Sequence, residues 1–435
     1  MILIVSDTLR ADQLGCYGSL SCISPQVDCL ARRGMLFEHV LSAAPLTASS
    51  HATIMTGTYP TRHGIFGNAG GIPDDLVTLA EAYRKADYQT AAFVSSWVLK
   101  PDVLHGIMRG FCHYDVSLPD VLHKGDAWYR DAASTTDAAL HWLRRRATEP
   151  FCLWLHYFEP HGPYTVPDPG LLKRVGELPR LPGEPKALPV MSKPIGKGGI
   201  PPKQALGRER DPVYYREHYA ARYGHADEQV GRVVNEVRKL GMEADTVIAF
   251  TSDHGELLGE HGYYFQHGVT LLNAVIHVPL VVVGPGIEAG RRVSALAGNT
   301  DIMPTLLALS GVDSGWFGSQ LQGESLAPVM QGKSVEPTPR YSFSKQSSER
   351  CVVLGSHKYT ELMASAPGPG RLVDFAIDPA ETKDLAPDQP EMAAKLRELL
   401  RRFVQGSGGQ GSRAPSAPPL SEENRRRLKS LGYVE

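Results

Sequence analysis

Apolar residues along this chain follow two rhythms. Short unbroken runs at Ile2–Val5, Thr90–Val94, Phe151–Leu155, Thr246–Thr251 and Leu280–Val283 predict strands buried on both faces. Between them apolar positions recur at helical spacing, most clearly at Val230, Val233, Val234 and Val237. Helices are predicted over roughly Thr136–Ala147 and Arg216–Leu240, with Gly241 as a stop signal. This alternation predicts an α/β fold, a large mostly parallel sheet sandwiched by helices.

The rhythm changes in three places. Residues 166–212 are rich in Pro, Gly, Lys and Arg with little periodicity, and read as a surface insertion or a lid within a catalytic domain spanning 1–336. Residues 337–404 read as a small antiparallel subdomain, with strands near Val352–Leu354 and Leu372–Ile377 and a helix from Pro390 to Val404. Residues 405–420 have linker composition. In 421–435, Glu422 and Glu423 precede Arg425, Arg426 and Arg427, a charge order that suits a helix dipole. That helix docks either on its own domain or on a neighbouring subunit of a homo-oligomer.

Chemistry collects where apolar runs end. Ile2–Val5 leads to Asp7, and the run ending at Thr251 leads to Asp253-His254-Gly255-Glu256. Ligands bind outside the carboxyl ends of strands in open α/β sheets, so these groups are expected to converge. Thr47 opens a predicted helix of small residues, Thr47-Ala48-Ser49-Ser50-His51-Ala52-Thr53. Read alone, Thr47 is a helix cap. With Asp7, Asp253 and His254 it completes an oxygen-and-nitrogen set for one divalent metal, Zn or Mn ahead of Ca or Mg.

These segments resemble the sulfatase branch of the alkaline phosphatase superfamily. Asp7-Thr8-Leu9-Arg10 resembles its opening motif, and Thr47 through Gly57 its nucleophile motif. His156-Tyr157-Phe158-Glu159-Pro160-His161 and Gly259-Glu260-His261-Gly262 follow in the family's order, then Asp301-Ile302-Met303-Pro304 and Asp378-Pro379. The departures are specific. Sulfatases carry Cys or Ser where Thr47 stands and oxidise it to formylglycine. Threonine is a secondary alcohol and gives no aldehyde, so no formylglycine is expected. The family has Arg where His51 stands and a second Asp where Thr8 stands. Its Gly-Lys-Trp-His element is replaced by Phe93-Val94-Ser95-Ser96-Trp97.

Threonine here resembles the phosphoryl-transferring relatives. The resemblance implies hydrolysis of phosphate mono- or diesters through a covalent Thr47 intermediate. His161 and His267 are the candidates for the general acid, and they join His51 and Asn68 as candidate substrate contacts. His156 at the end of its run reads equally as core or as function. A sulfuric ester hydrolase, a phosphoethanolamine-type transferase and an inactive binding protein are the alternatives. The expected substrate is a small-molecule, lipid or sugar anionic ester.

Composition restricts the partners. A net charge of −2 over 435 residues argues against nucleic acid, and no apolar run is long enough to span a bilayer. Six cysteines without a Cys-x-x-Cys pair read as free thiols. The expectation is cytoplasmic, or periplasmic or secreted if a leader precedes Met1.

Overall fold

A computed structural model describes residues 1–19, 21, 23–118, 129–146, 148–364, 368–408 and 420–430. Its centre is an eight-stranded sheet. The strands are β1 (Ile2–Ser6), β2 (Met35–Phe37), β3 (Gln89–Val94), β4 (His113–Asp115), β5 (Phe151–Tyr157), β6 (Ile248–Ser252), β7 (Leu280–Val283) and β8 (Arg291–Val293). Their spatial order is β8-β2-β7-β6-β1-β5-β3-β4. Pairing is parallel except that β7 runs antiparallel to both β6 and β2. The central strands are wholly buried, which accounts for their unbroken apolar runs.

Alternation along each strand sorts side chains between two cores. Ile2 and Ile4 join the core under α1 (Pro25–Arg33), α4 (Ala132–Arg146) and α5 (Pro212–Lys239). Leu3 and Val5 join the core under α2 (Thr47–Thr56), α3 (Leu79–Lys85) and α6 (Ile302–Leu309). The helix expected from Arg216 starts one turn earlier, because Asp211 Oδ1 accepts the Val213 N–H and Pro212 occupies the first turn.

A second sheet, β9 (Arg340–Ser344), β10 (Glu349–Leu354), β11 (His357–Leu362) and β12 (Arg371–Asp374), is antiparallel throughout. It carries α7 (Pro390–Gly408), whose Leu396 and Leu400 are buried. β12 stops three residues short of the expected Ile377, which is 78% exposed. The last helix, α8 (Glu422–Ser430), docks on its own chain. Leu428 is buried in the α2-side core and Asn424 Nδ2 donates to the Asp102 carbonyl. Most of the expected linker, 409–419, lies outside the described residues.

Within 166–212 a short helix, Pro169–Val175, breaks the expected irregularity. Asp168 caps it, accepting the Gly170 N–H, and Pro169 sits in its first turn. No helix among the described residues is long and apolar enough to cross a membrane. Cys16, Cys29, Cys112, Cys152 and Cys351 are free thiols, and Cys22 lies outside the described residues.

Candidate active site

Strand register builds the site. Ser6 pairs with both Tyr157 and Ser252, so β1, β5 and β6 end level. Leu3 and Val5 face α2, and one more alternating step carries Asp7 to that side. Ala249 and Thr251 lead likewise to Asp253, and Cys152 and Trp154 lead to His156. Two carboxylates and an imidazole thus meet under the start of α2, and all are buried.

α2 reaches this depth because its residues are small and satisfy themselves. Ser50 Oγ donates to the Asp253 carbonyl at 2.7 Å, and Ser49 Oγ to the Ile65 carbonyl at 2.6 Å. Gly57 ends the helix at φ 64°, where a Cβ would meet Leu321 Cδ2 at 2.7 Å. Thr47 is the first helical residue and not the cap. Leu46 holds the cap position without a side-chain hydrogen bond. Asn68 supplies the missing acceptor, its Oδ1 taking the Ala48 N–H at 3.0 Å, and its buried NH2 has no hydrogen-bond partner.

The structure brings Thr47, Asp7, Asp253 and His254 together. Thr47 Oγ1 lies 3.5 Å from His254 Nε2, which is 3.6 Å from Asp253 Oδ2 and 3.9 Å from Asp7 Oδ1. His254 Nδ1–H donates to the Gly255 carbonyl at 3.0 Å, leaving the Nε2 lone pair facing the carboxylates. Thr8 donates its N–H to Asp253 Oδ1 at 3.1 Å from a left-handed backbone, φ 59°. Such a conformation in a β-branched residue costs about 1–3 kcal/mol, so the position of the Asp253 carboxylate is held against strain. Asp7 Oδ1 and Oδ2 and Asp253 Oδ2 are buried without hydrogen bonds. Orphaned carboxylate oxygens beside a bare imidazole nitrogen are the donor set a divalent cation requires. Burial and the facing Asp253 push the Asp7 carboxyl well above the usual range.

His51 stands on the carboxylate side. Its Nδ1–H donates to the Thr47 carbonyl at 2.8 Å and lies 3.6 Å from Asp253 Oδ2. Its ring packs edge-on against His156, centroids 4.9 Å apart. Burial pushes His51 down to about 3 and His156 to about 4, so both imidazoles are neutral. His161 and His267 form a separate group, each 8% exposed, their centroids 5.1 Å apart. His267 lies 4.5 Å from the His254 ring, and its Nδ1 is 3.3 Å from Glu256 Oε1. His161 donates from Nδ1 to the Gly162 carbonyl at 2.6 Å, and burial holds it well below the ordinary imidazole range.

Two site residues escaped assignment from sequence. Glu256 is fully buried against His267, and its place in Asp253-His254-Gly255-Glu256 was the available signal. Ser95 orients His156, accepting from its Nδ1 at 3.3 Å and donating to its carbonyl.

Comparison with known proteins agrees with this geometry. The sulfatase family model matches residues 1–312, and the model for the C-terminal part of N-sulphoglucosamine sulphohydrolase matches 259–406. The chain is 27% identical to choline-sulfatase of Rhizobium meliloti (strain 1021), over 83% of this chain and 77% of that protein. It is 24% identical to human arylsulfatase K, over 93% and 82%. Among solved structures, a protein in complex with its substrate D-glucosamine-2-N,6-O-disulfate superposes at TM-score 0.76 with 21% identity, covering 95% of this chain and 99% of that one. The phosphonate monoester hydrolase of Agrobacterium radiobacter gives TM-score 0.74 with 22% identity, covering 93% and 95%. With its fold, its motif order and a family model matched across most of its length, the chain belongs to the sulfatase family of ester hydrolases.

Proposed function

We propose that this enzyme hydrolyses phosphate mono- or diesters with Thr47 as the covalent nucleophile. The observation that carries the reading is the Thr47 hydroxyl at the buried start of α2, 3.5 Å from His254 Nε2, where the family's formylglycine precursor would stand. A secondary alcohol at that point attacks directly or not at all. Asp7, Asp253, His254 and Thr47 would hold a divalent ion, Zn or Mn by their donor atoms. When bound, such an ion lowers the pKa of the hydroxyl and balances charge on the phosphoryl oxygens.

The remaining roles fall to this chain's own groups. Thr47 Oγ1 attacks phosphorus in line, and the bond to the leaving oxygen breaks. The leaving oxygen takes a proton from His267, while His161, which burial keeps neutral, lines the site as a substrate contact. Glu256 fixes the His267 ring through Nδ1. Asn68 positions α2 with its oxygen and offers its NH2 to a phosphoryl oxygen. Thr47 releases its hydroxyl proton to solvent as it attacks. Water then attacks the phosphothreonine and gives one proton to the imidazole, the Oγ1–phosphorus bond breaks, and Thr47 takes a proton back from solvent. The sulfatase relatives favour a second reading, sulfuric ester hydrolysis with Thr47 attacking sulfur.

The test compares wild type with Thr47→Ala on aryl phosphate monoesters, diesters and an aryl sulfate, adding Zn, Mn, Ca and Mg in turn. Metal-dependent phosphoester turnover, lost by on the order of 10⁴-fold or more in Thr47→Ala, is the expected result. Sulfate turnover alone selects the second reading. Phosphoester turnover that survives in Thr47→Ala overturns the nucleophile.

A further inference from the structure

The reaction above leaves His51 and His156 without a task. Both are fully buried, and both keep an Nε2 with no hydrogen-bond partner. Among the described residues, the site's donor atoms fall into two sets, Asp7 with Asp253 and His254, and His51 with His156 and Asp253. Within each set the donor atoms lie within 4.8 Å of one another, and Asp253 alone belongs to both. Two metal–ligand bonds of about 2.1 Å span at most about 4.2 Å, so each set closes on one ion by small side-chain movements.

We propose that this enzyme binds two divalent ions, the second held by His51, His156 and Asp253, with the Asp253 carboxylate shared between them. The proposal rests on the phosphoester reading and adds a second metal to it.

Protonation supports it first. Ser95 Oγ donates to the His156 carbonyl, so it accepts from His156 Nδ1–H at 3.3 Å, and the lone pair of that ring is on Nε2. That nitrogen is 3.6 Å from Asp7 Oδ2, beyond hydrogen-bond distance, and both atoms are left without a partner inside a dry core. Each unsatisfied buried acceptor costs about 1–3 kcal/mol. A packing role for His156 would favour the opposite tautomer, with Nε2–H donating to Asp7. Ser95 prevents it, as outer partners of metal-bound histidines do.

Charge supports it second. The ion-pair partners of Asp7 and Asp253 among the described residues are all histidines, and no Lys or Arg among them pairs with either carboxylate. Two carboxylates and a phosphoryl dianion bring four negative charges to one buried place, and a single divalent ion offsets half of them. Two nitrogens and one oxygen suit Zn or Mn better than Ca or Mg.

The test strips the full-length protein with chelator, reloads it with Zn or Mn, desalts it and counts ions per chain by mass spectrometry. Wild type is expected to hold two, and His51→Gln and His156→Gln one each. Two Mn ions sharing a carboxylate give an exchange-coupled electron paramagnetic resonance spectrum, whereas the variants should give the six lines of an isolated ion. Ser95→Ala removes no proposed ligand and only the partner of His156 Nδ1, and should weaken the second ion by about 10- to 100-fold while leaving the first. Wild type saturating at one ion with a six-line spectrum overturns the proposal, even if Thr47-dependent phosphoester turnover persists. Two coupled ions without phosphoester turnover would keep the site and remove the phosphoester reading instead. If the glutamine variants do not fold, the wild-type count and spectrum still decide.

Discussion

Asn68 does two jobs with one side chain, and substitution can separate them. Its Oδ1 accepts the Ala48 N–H at 3.0 Å, which fixes the first turn of α2 and with it Thr47. Its NH2 is buried without a partner and is assigned to a phosphoryl oxygen. Asn68→Asp keeps the acceptor and removes the donor. A carboxylate at a helix N-terminus is electrostatically favoured, so the melting temperature should stay near wild type. A hydrogen bond to a charged group contributes about 1.5–3 kcal/mol, which predicts a loss of about 10- to 150-fold in kcat/KM for a phosphoester. Repulsion between the new carboxylate and the substrate adds to that loss. Asn68→Ala removes both functions, and should also lower unfolding stability by about 1 kcal/mol through the lost cap. Steady-state kinetics and thermal denaturation of the two variants separate the effects. An Asn68→Asp enzyme with wild-type kcat/KM would refute the substrate contact and leave Asn68 as a cap only.

Three further outcomes follow from buried groups. In metal-free protein, His51, His63 and His156 are pushed down to about 3, 3 and 4, while in the unfolded chain they titrate near 6.5. The unfolded state therefore binds more protons between about pH 4 and 6.5, and stability falls with pH by about 1.4 kcal/mol per unit for each imidazole. The raised carboxyls of Asp7, Glu159, Asp227 and Asp301 work in the opposite direction, but the lowered His39, His161, His218 and His277 add to the three imidazoles and keep the balance on their side. The melting temperature of chelated protein should be clearly lower at pH 5 than at pH 7.5, and equal values would refute this accounting. Arg340 Nε donates to Asp301 Oδ2 at 2.8 Å, with both side chains buried. Arg340→Ala strands that carboxylate, so urea denaturation should show a loss of about 3 kcal/mol. Leu428→Ala removes the buried anchor of α8 at a cost of about 2 kcal/mol, and should expose the tail to limited proteolysis with turnover unchanged.

That Thr47, the two aspartates and His254 meet was legible because each stands where a run of one pattern stops. His156 was not, since a histidine closing Phe151–Leu155 looks the same whether it packs or binds. Only the pairing of Val5 with His156 puts it on the α2 side, and pairing is a tertiary fact. Asn68 was legible as a residue type but not as a cap, because its partner lies 20 residues away across a turn. The helix at Pro169–Val175 was hidden by its own Pro and Gly, although Asp168-Pro169 is a start signal in its own right.

What the backbone cannot supply is the choice of reaction. The same fold occurs in solved structures named for a sulfatase and for phosphonate monoester hydrolases. Under the proposed function, position 47 makes that choice through a single methyl group. A primary alcohol or thiol there has two hydrogens on Cβ to lose, and oxidation leaves an aldehyde. Threonine has one, and oxidation would leave a ketone that carries its methyl into a helix packed by Ser50 against Asp253. Under the proposed function the side chain therefore uses its oxygen as it stands. A direct oxygen nucleophile must itself become the ester, and its later release depends on how strongly the site stabilises charge at the transferred group. Orphaned carboxylate oxygens and bare imidazole nitrogens around Thr47 carry no positive charge of their own, so under the proposed function they serve that end through the cations they would hold.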